Sequence, residues 1–208
     1  DIIDFFPTPQ MRLSFQQRVE EKGGYVTLDE SAGDLRQWFN YEFGYGQISP
    51  VCTAHLETLL PAWRNKLQLE NRLLEETFKS DDLHIEKKSI RYKDIAAKKI
   101  IFCDGTSSVN STFFNRLPFA PNKGEAMVVE IPELPAGNIY KKGLMLVPLE
   151  KTGLWWVGSN YAWEFENEVR TPEFRIKTEE LLKNWLKIPF SIHEHVCGIR
   201  PATIERRP

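Results

Sequence analysis

The sequence predicts an α+β fold: a large mixed or antiparallel sheet with helices on one face, interrupted over about residues 46–112 by a piece of α/β character. Three observations predict it. Strand-like runs at 125–131, 143–149 and 154–158 follow one another across turn residues, as antiparallel strands do. Two segments, 7–22 and 171–186, carry apolar residues at helical spacing. Between them, Ile100-Ile101-Phe102-Cys103 is an apolar run without alternation, the pattern of a strand covered on both faces, as in a parallel sheet.

Taken in order, Asp1-Ile2-Ile3-Asp4-Phe5-Phe6 reads as a strand with its alternation blurred by apolar pairs. The helix over 7–22 places Met11, Phe15 and Val19 on one stripe, and Gly23-Gly24 ends it. Residues 25–43 are irregular, with Leu35, Trp38 and Phe39 available for packing. Gly44 to Ile48 leads into Ser49-Pro50, a pair suited to a helix start: the serine caps free amides and proline takes the first helical position. The helix from Val51 carries Leu56, Leu59, Leu60 and Trp63, and Pro61 should kink it or end it near Leu60. Short strands are expected at 73–78, 83–86 and 89–92, the last two forming a hairpin around Lys87-Lys88. The run 100–103 stops at Asp104-Gly105. In the last helix Thr171 caps, Pro172 sits first, and Phe174, Leu181, Leu182 and Trp185 form the apolar face. A final strand covers 188–199.

The composition narrows the function. The chain has 208 residues, 41% apolar and 27% charged, with a formal charge of −2. Its acids and bases are interleaved, so no nucleic-acid groove and no anionic membrane surface is indicated. No apolar run approaches the roughly 20 residues of a membrane span. Cys52, Cys103 and Cys197 are odd in number and far apart, which fits free thiols in a reducing compartment and a cytoplasmic protein. His193 and His195 share a strand face at a spacing that can chelate a metal, with His84 as a third ligand. No cysteine pair or helical carboxylate–histidine motif accompanies them, so no metal is expected. Cys197 has no base brought to it, and neither Gly-x-Ser-x-Gly nor a phosphate-binding Gly-Lys-Ser/Thr occurs.

Four stretches, taken together and in order, resemble the D-amino acid oxidase and glycine oxidase family of FAD-dependent oxidoreductases. Residues 44–60 look like the family's glycine-bearing strand and following helix. Lys98-Lys99-Ile100-Ile101-Phe102-Cys103-Asp104-Gly105 looks like the strand ending in a small-small-Gly turn beside the flavin. Leu117-Pro118-Phe119 through Lys123-Gly124-Glu125, with Met127-Val128-Val129, resembles the entry into the substrate sheet. Residues 143–148, Trp155-Trp156-Val157-Gly158-Ser159 and Gly198-Ile199-Arg200-Pro201 complete the order.

The resemblance implies a substrate domain in two parts, 1–45 and 113–208, flanking a partial FAD-domain segment, 46–112. It implies Arg200 as the partner of a substrate carboxylate, since a guanidinium fork matches two carboxylate oxygens. It implies Cys103, Asp104 and Gly105 as the turn that approaches FAD, with Asp104 departing from the family's usual small residue. Met145 stands where glycine oxidase has a tyrosine, which removes a hydrogen-bond donor. In the cluster of Trp155, Trp156, Tyr161 and Trp163, Tyr161 is a candidate substrate contact. No Gly-x-Gly-x-x-Gly follows a strand, so the pyrophosphate cradle is missing. FAD is therefore expected in a longer parent protein and not in this chain alone, which is expected to be a fragment inactive by itself. No catalytic acid or base is assigned, because in such enzymes the flavin carries the chemistry. The partner is a small-molecule substrate, and the oligomeric state is left open. A second reading also stands on the sequence: a non-catalytic binding module whose curved sheet holds an apolar ligand or a partner.

Overall fold

The computed structural model describes residues 1–21, 24–28, 35–151 and 153–205. In chain order the elements are β1 (Ile2–Phe5), α1 (Pro9–Glu21), β2 (Val26–Thr27), β3 (Tyr45–Ile48), α2 (Leu56–Leu69), β4 (Leu83–Ile85), β5 (Ile90–Tyr92) and β6 (Ile95–Ala97). There follow β7 (Asn122–Glu130), β8 (Ile139–Lys142), β9 (Leu144–Pro148), β10 (Leu154–Gly158), α3 (Pro172–Trp185) and β11 (Ser191–Arg200). The chain divides into two compact units, Asp1–Thr53 with Leu117–Pro208, and Ala54–Arg116. Among the described residues no helix is long and apolar enough to cross a membrane.

The first unit is built on an eight-stranded mixed sheet in the order β11-β7-β10-β9-β8-β1-β3-β2. The fold is α+β, as the strand and helix patterns predicted. β1 pairs in parallel with β8, and the remaining ladders are antiparallel. Alternation along each strand sorts its side chains between two faces. Met127, Val157, Leu146 and Tyr140 stand directly opposite one another across β7, β10, β9 and β8 and are essentially excluded from water. That row is the centre of the core.

Helix α3 lies over this face. Its start follows the expected chemistry: Thr171 has extended backbone, its hydroxyl accepts from the Phe174 amide, and Pro172 opens the first turn. Trp185 at the other end is 1% exposed and packs against Phe5 and Phe39, with ring centroids 5.6 and 5.0 Å away. Helix α1 sits elsewhere. Phe15 rests on Gly46 of β3, whose side points away from Tyr45 and the main core, and it joins Phe6 and Val26 in a second small cluster. Of the Gly23-Gly24 pair expected to end α1, Gly23 lies outside the described residues; Gly24 has φ +114°, a conformation suited to glycine.

The second unit holds α2 and a three-stranded antiparallel sheet, β4-β5-β6. Several expectations for this region fail. Ser49-Pro50 starts no helix; α2 begins at Leu56 after His55. Pro61 does not end it, and the helix runs on to Leu69. Residues 73–78 form no strand. The 83–86 and 89–92 hairpin is present as β4 and β5, with Leu83 opposite Tyr92. The apolar run Ile100–Cys103 is not a buried strand: among the described residues nothing pairs with it, and Ile101 is 84% exposed. Phe102 alone is well engaged, with Phe78, Phe113 and Phe114 around its ring.

Trp185→Ala is expected to destabilise the first unit by about 3–5 kcal/mol, the usual cost of deleting a buried indole. Trp185→Phe should cost much less, because the indole N–H has no hydrogen-bond partner to lose. Urea denaturation of the two variants checks both.

Candidate functional site

Strand β7 separates two chemically different surfaces. On the side facing α3 lies a buried polar cluster: Lys123, Glu125 and His195 are 3, 2 and 9% exposed. The Thr171 amide and hydroxyl each donate to Glu125, both at 2.7 Å, and His195 Nε2 lies 3.0 Å from Oε2. Lys123 donates to the Val169 carbonyl and stands 3.8 Å from Glu125. The His195 ring stacks on Phe174 of α3. Burial by itself would raise the Glu125 pKa; the Thr171 amide and hydroxyl, with the charges of Lys123 and His195, outweigh it and hold the carboxyl below its ordinary value. A cavity of about 770 Å³ opens on this side, lined by Leu144, Phe165, Phe174 and Leu181. The ionic groups at its base are engaged with one another, and their work is to anchor the cap of α3.

The opposite surface carries Arg200. Its Nη1 donates to Asn122 Oδ1 at 2.8 Å and to the Asn160 carbonyl at 3.3 Å, and Nη2 donates to Ser159 Oγ at 2.6 Å. The guanidinium lies 4.5 Å from the centre of the Tyr161 ring. Every one of these acceptors is neutral, and among the described residues no carboxylate pairs with Arg200. A cleft of about 390 Å³ runs from Arg200 over Gly124, Ala126 and Gly198 to Trp156. Gly124 is required for this layout: a Cβ there would lie 2.2 Å from Arg200 Nη2. Met145 stands opposite Gly158 and is 37% exposed, as is Trp156.

The residues singled out in the sequence thus separate. Arg200 and Tyr161 meet, while Cys103, Asp104 and Gly105 belong to the second unit. There, Asp104 precedes a short 3₁₀ turn, Gly105–Asn110, and accepts from the Ser108 hydroxyl. Gly105 has φ +59° with open space where a side chain would be. That glycine suits close backbone approach to a flavin. Asp104 adds a negative charge beside that turn, one that could repel a pyrophosphate or bind a ribose hydroxyl, and no strand leads into the turn. These residues do not by themselves make a dinucleotide site.

Trp155 and Trp156 point to opposite faces, Trp155 into the core and Trp156 into the cleft. His193 is the extra residue of a bulge between Ile192 and Glu194, exposed, while His195 is buried on Glu125. Among the described residues no three potential ligands gather for a metal. All three cysteines are free thiols, and Cys197 donates to the Glu168 carbonyl. Asn122, Gly124 and Ser159 were not foreseen as a set. Their signal was available only as small or amide residues adjoining the Lys-Gly-Glu and Val-Gly-Ser stretches.

With this geometry in hand, comparison with solved structures is decisive about architecture. Glycine oxidase from Bacillus cereus ATCC 14579 superposes over the whole chain with a TM-score of 0.71 at 14% identity, and glycine oxidase from Geobacillus kaustophilus with 0.66 at 17%. The chain shares their fold. Iminodiacetate oxidase from Chelativorans sp. BNC1 matches over 98% of the chain, with a TM-score of 0.62 at 15% identity. The chain spans 62, 60 and 60% of the length of these three structures. No family model matches the sequence.

The depressed Glu125 pKa has a consequence for acid stability. Its stabilisation is complete above the ordinary carboxylate value of 4.5 and is lost as pH falls through the lower folded-state value. Denaturant titrations from pH 6 to pH 3 are expected to show a loss of stability in wild type that Glu125→Gln, already destabilised at pH 6, does not repeat.

Proposed function

We infer that this chain is the substrate-binding part of a longer FAD-dependent oxidoreductase that oxidises an amine or amino acid. In this reading residues 1–45 and 113–208 form the substrate domain, and 46–112 are a strip of the FAD domain. The observation that carries it is Arg200: a guanidinium aimed along a cleft, steadied by neutral acceptors and, among the described residues, left without a counter-charge. A substrate carboxylate supplies that charge. Glycine and iminodiacetate, after which the structurally similar oxidases are named, both join a carboxylate to an amine. Coverage of about three fifths of those structures supports a larger parent. So does α2, on which Leu56, Leu59, Leu60 and Trp63 are each at least half exposed.

A flavin bound in the parent would supply the hydride acceptor. This chain's own residues bind and orient. Asn122, Ser159 and the Asn160 carbonyl hold the guanidinium plane, so little rotamer freedom is lost when a carboxylate arrives. Tyr161 covers one face of that plane. Gly124, Ala126 and Gly198 leave room on the sheet, and Trp156 and Met145 offer an apolar surface for the substrate's remaining atoms. Met145 donates no hydrogen bond there, which argues against glycine itself as the substrate.

In the flavin-loaded oxidoreductase containing this chain, Arg200→Ala is expected to raise KM for a carboxylate substrate roughly tenfold or more, the charge-assisted pair being worth about 1.5–3 kcal/mol. Gly124→Ala should act in the same direction by displacing the guanidinium. Steady-state kinetics decide; a KM unchanged in Arg200→Ala removes the arginine from the site.

A further inference from the structure

The cavity of about 770 Å³ on the α3 side of the sheet lies apart from the Arg200 cleft and is lined by residues of the first unit alone. Its volume suits a small organic molecule, and pockets for such molecules combine apolar walls with a few polar groups. Here Leu144, Phe165, Phe174 and Leu181 supply the walls. Three of the polar groups are already engaged. Glu125 accepts from Thr171 and faces Lys123, which donates to the Val169 carbonyl.

Two features of the cavity are left over. The first is Thr178 of α3, which lines it and is 1% exposed, and whose hydroxyl makes no hydrogen bond with any described residue. Thr171 shows the contrast: its hydroxyl donates to Glu125 and accepts from the Phe174 amide. An enclosed hydroxyl without a partner is disfavoured, and the space in front of this one can hold a partner. The second feature is the charge at the mouth. Glu164, Glu166 and Glu173 are exposed lining residues, and Lys177 is the one lining base that is not engaged with Glu125. Among the described residues none of these four lies in an ion pair. Three carboxylates against one ammonium leave the mouth anionic.

We propose that this cavity binds an aryl-alkyl amine. The ring lies against Phe165 and Phe174, a hydroxyl on the ring meets Thr178, and the ammonium stands among the carboxylates of the mouth. Offset and edge-to-face contacts with two phenylalanine rings favour an aromatic body over an aliphatic one. Exposed carboxylates each add little affinity, but together they select a cation over an anion. The ligand needs no carboxylate, so the site stands whether or not Arg200 holds a substrate.

Tyramine titrated into the chain, followed by amide NMR, tests the proposal. Saturable shifts at Ala162, Phe165, Lys177 and Thr178 are expected, with Kd of about 1 mM. Phenethylamine lacks the ring hydroxyl and should bind roughly threefold to tenfold more weakly. The acid 3-(4-hydroxyphenyl)propionate has a carboxylate in place of the ammonium and should bind roughly tenfold more weakly or worse. Thr178→Val keeps the shape of the side chain and should abolish the preference for tyramine over phenethylamine. The double variant Glu164→Gln, Glu166→Gln should narrow the preference for the amine over the acid. Both glutamates are exposed, so that variant reports even where Thr178→Val fails to fold. The proposal is overturned by no saturable shift up to about 20 mM, or by shifts centred on the Arg200 cleft. Equal binding of tyramine and phenethylamine, equal binding of amine and acid, or an unchanged preference in the glutamine variant also overturns it.

Discussion

The pairing of β7 with β11 is the constraint on which the rest of the structure depends. The ladder runs from Ser191 opposite Glu130 to Arg200 opposite Asn122. Because strand side chains alternate, that single register decides what each face of the sheet carries. Glu125 and His195 fall on the side of α3, where they bind each other and the helix cap. Arg200, Gly124 and Asn122 fall on the other side and make the cleft. A slip of β11 by one residue would turn Arg200 toward the α3 side and take His195 away from Glu125. The buried cluster and the cleft are therefore two consequences of one alignment, and the bulge at His193 sits where it disturbs neither.

Much of this was legible in the sequence where local chemistry decides the outcome. The cap of α3 was, because threonine followed by proline satisfies free amides whatever surrounds them. So were β7, β9 and β10, whose runs are bounded by turn residues. Strand β8 was not: Ile139-Tyr140-Lys141-Lys142 ends in two lysines, and it is held between β9 on one side and, in parallel, β1 on the other, more than a hundred residues away. The run Ile100–Cys103 misled for the converse reason. Its composition is that of a covered strand, but composition supplies no partner, and without one the backbone remains unpaired.

The site divides along the same line. Arg200 and Tyr161 were visible as residue types with suitable chemistry, and the cation–π contact joins them. Gly124, Asn122 and Ser159 were not visible in that role, since they matter only through what stands across the sheet from them. Gly124 in particular is explained by a side chain on another strand and by nothing in its own neighbourhood of the sequence. The turn at Gly105 kept the open backbone geometry that its glycine suggested, but without the strand that was expected to lead into it.

The central claim is that the Arg200 face of the sheet receives a carboxylate. Its most direct measurement is NMR of the side-chain N–H groups of this chain during titration with a small monocarboxylate such as propionate. The account expects saturable shifts of the Arg200 Nε–H and the Trp156 indole N–H, with Arg170 and Arg175 on the helix side unmoved. Shifts spread equally over all three arginines, or none at Arg200, would contradict it.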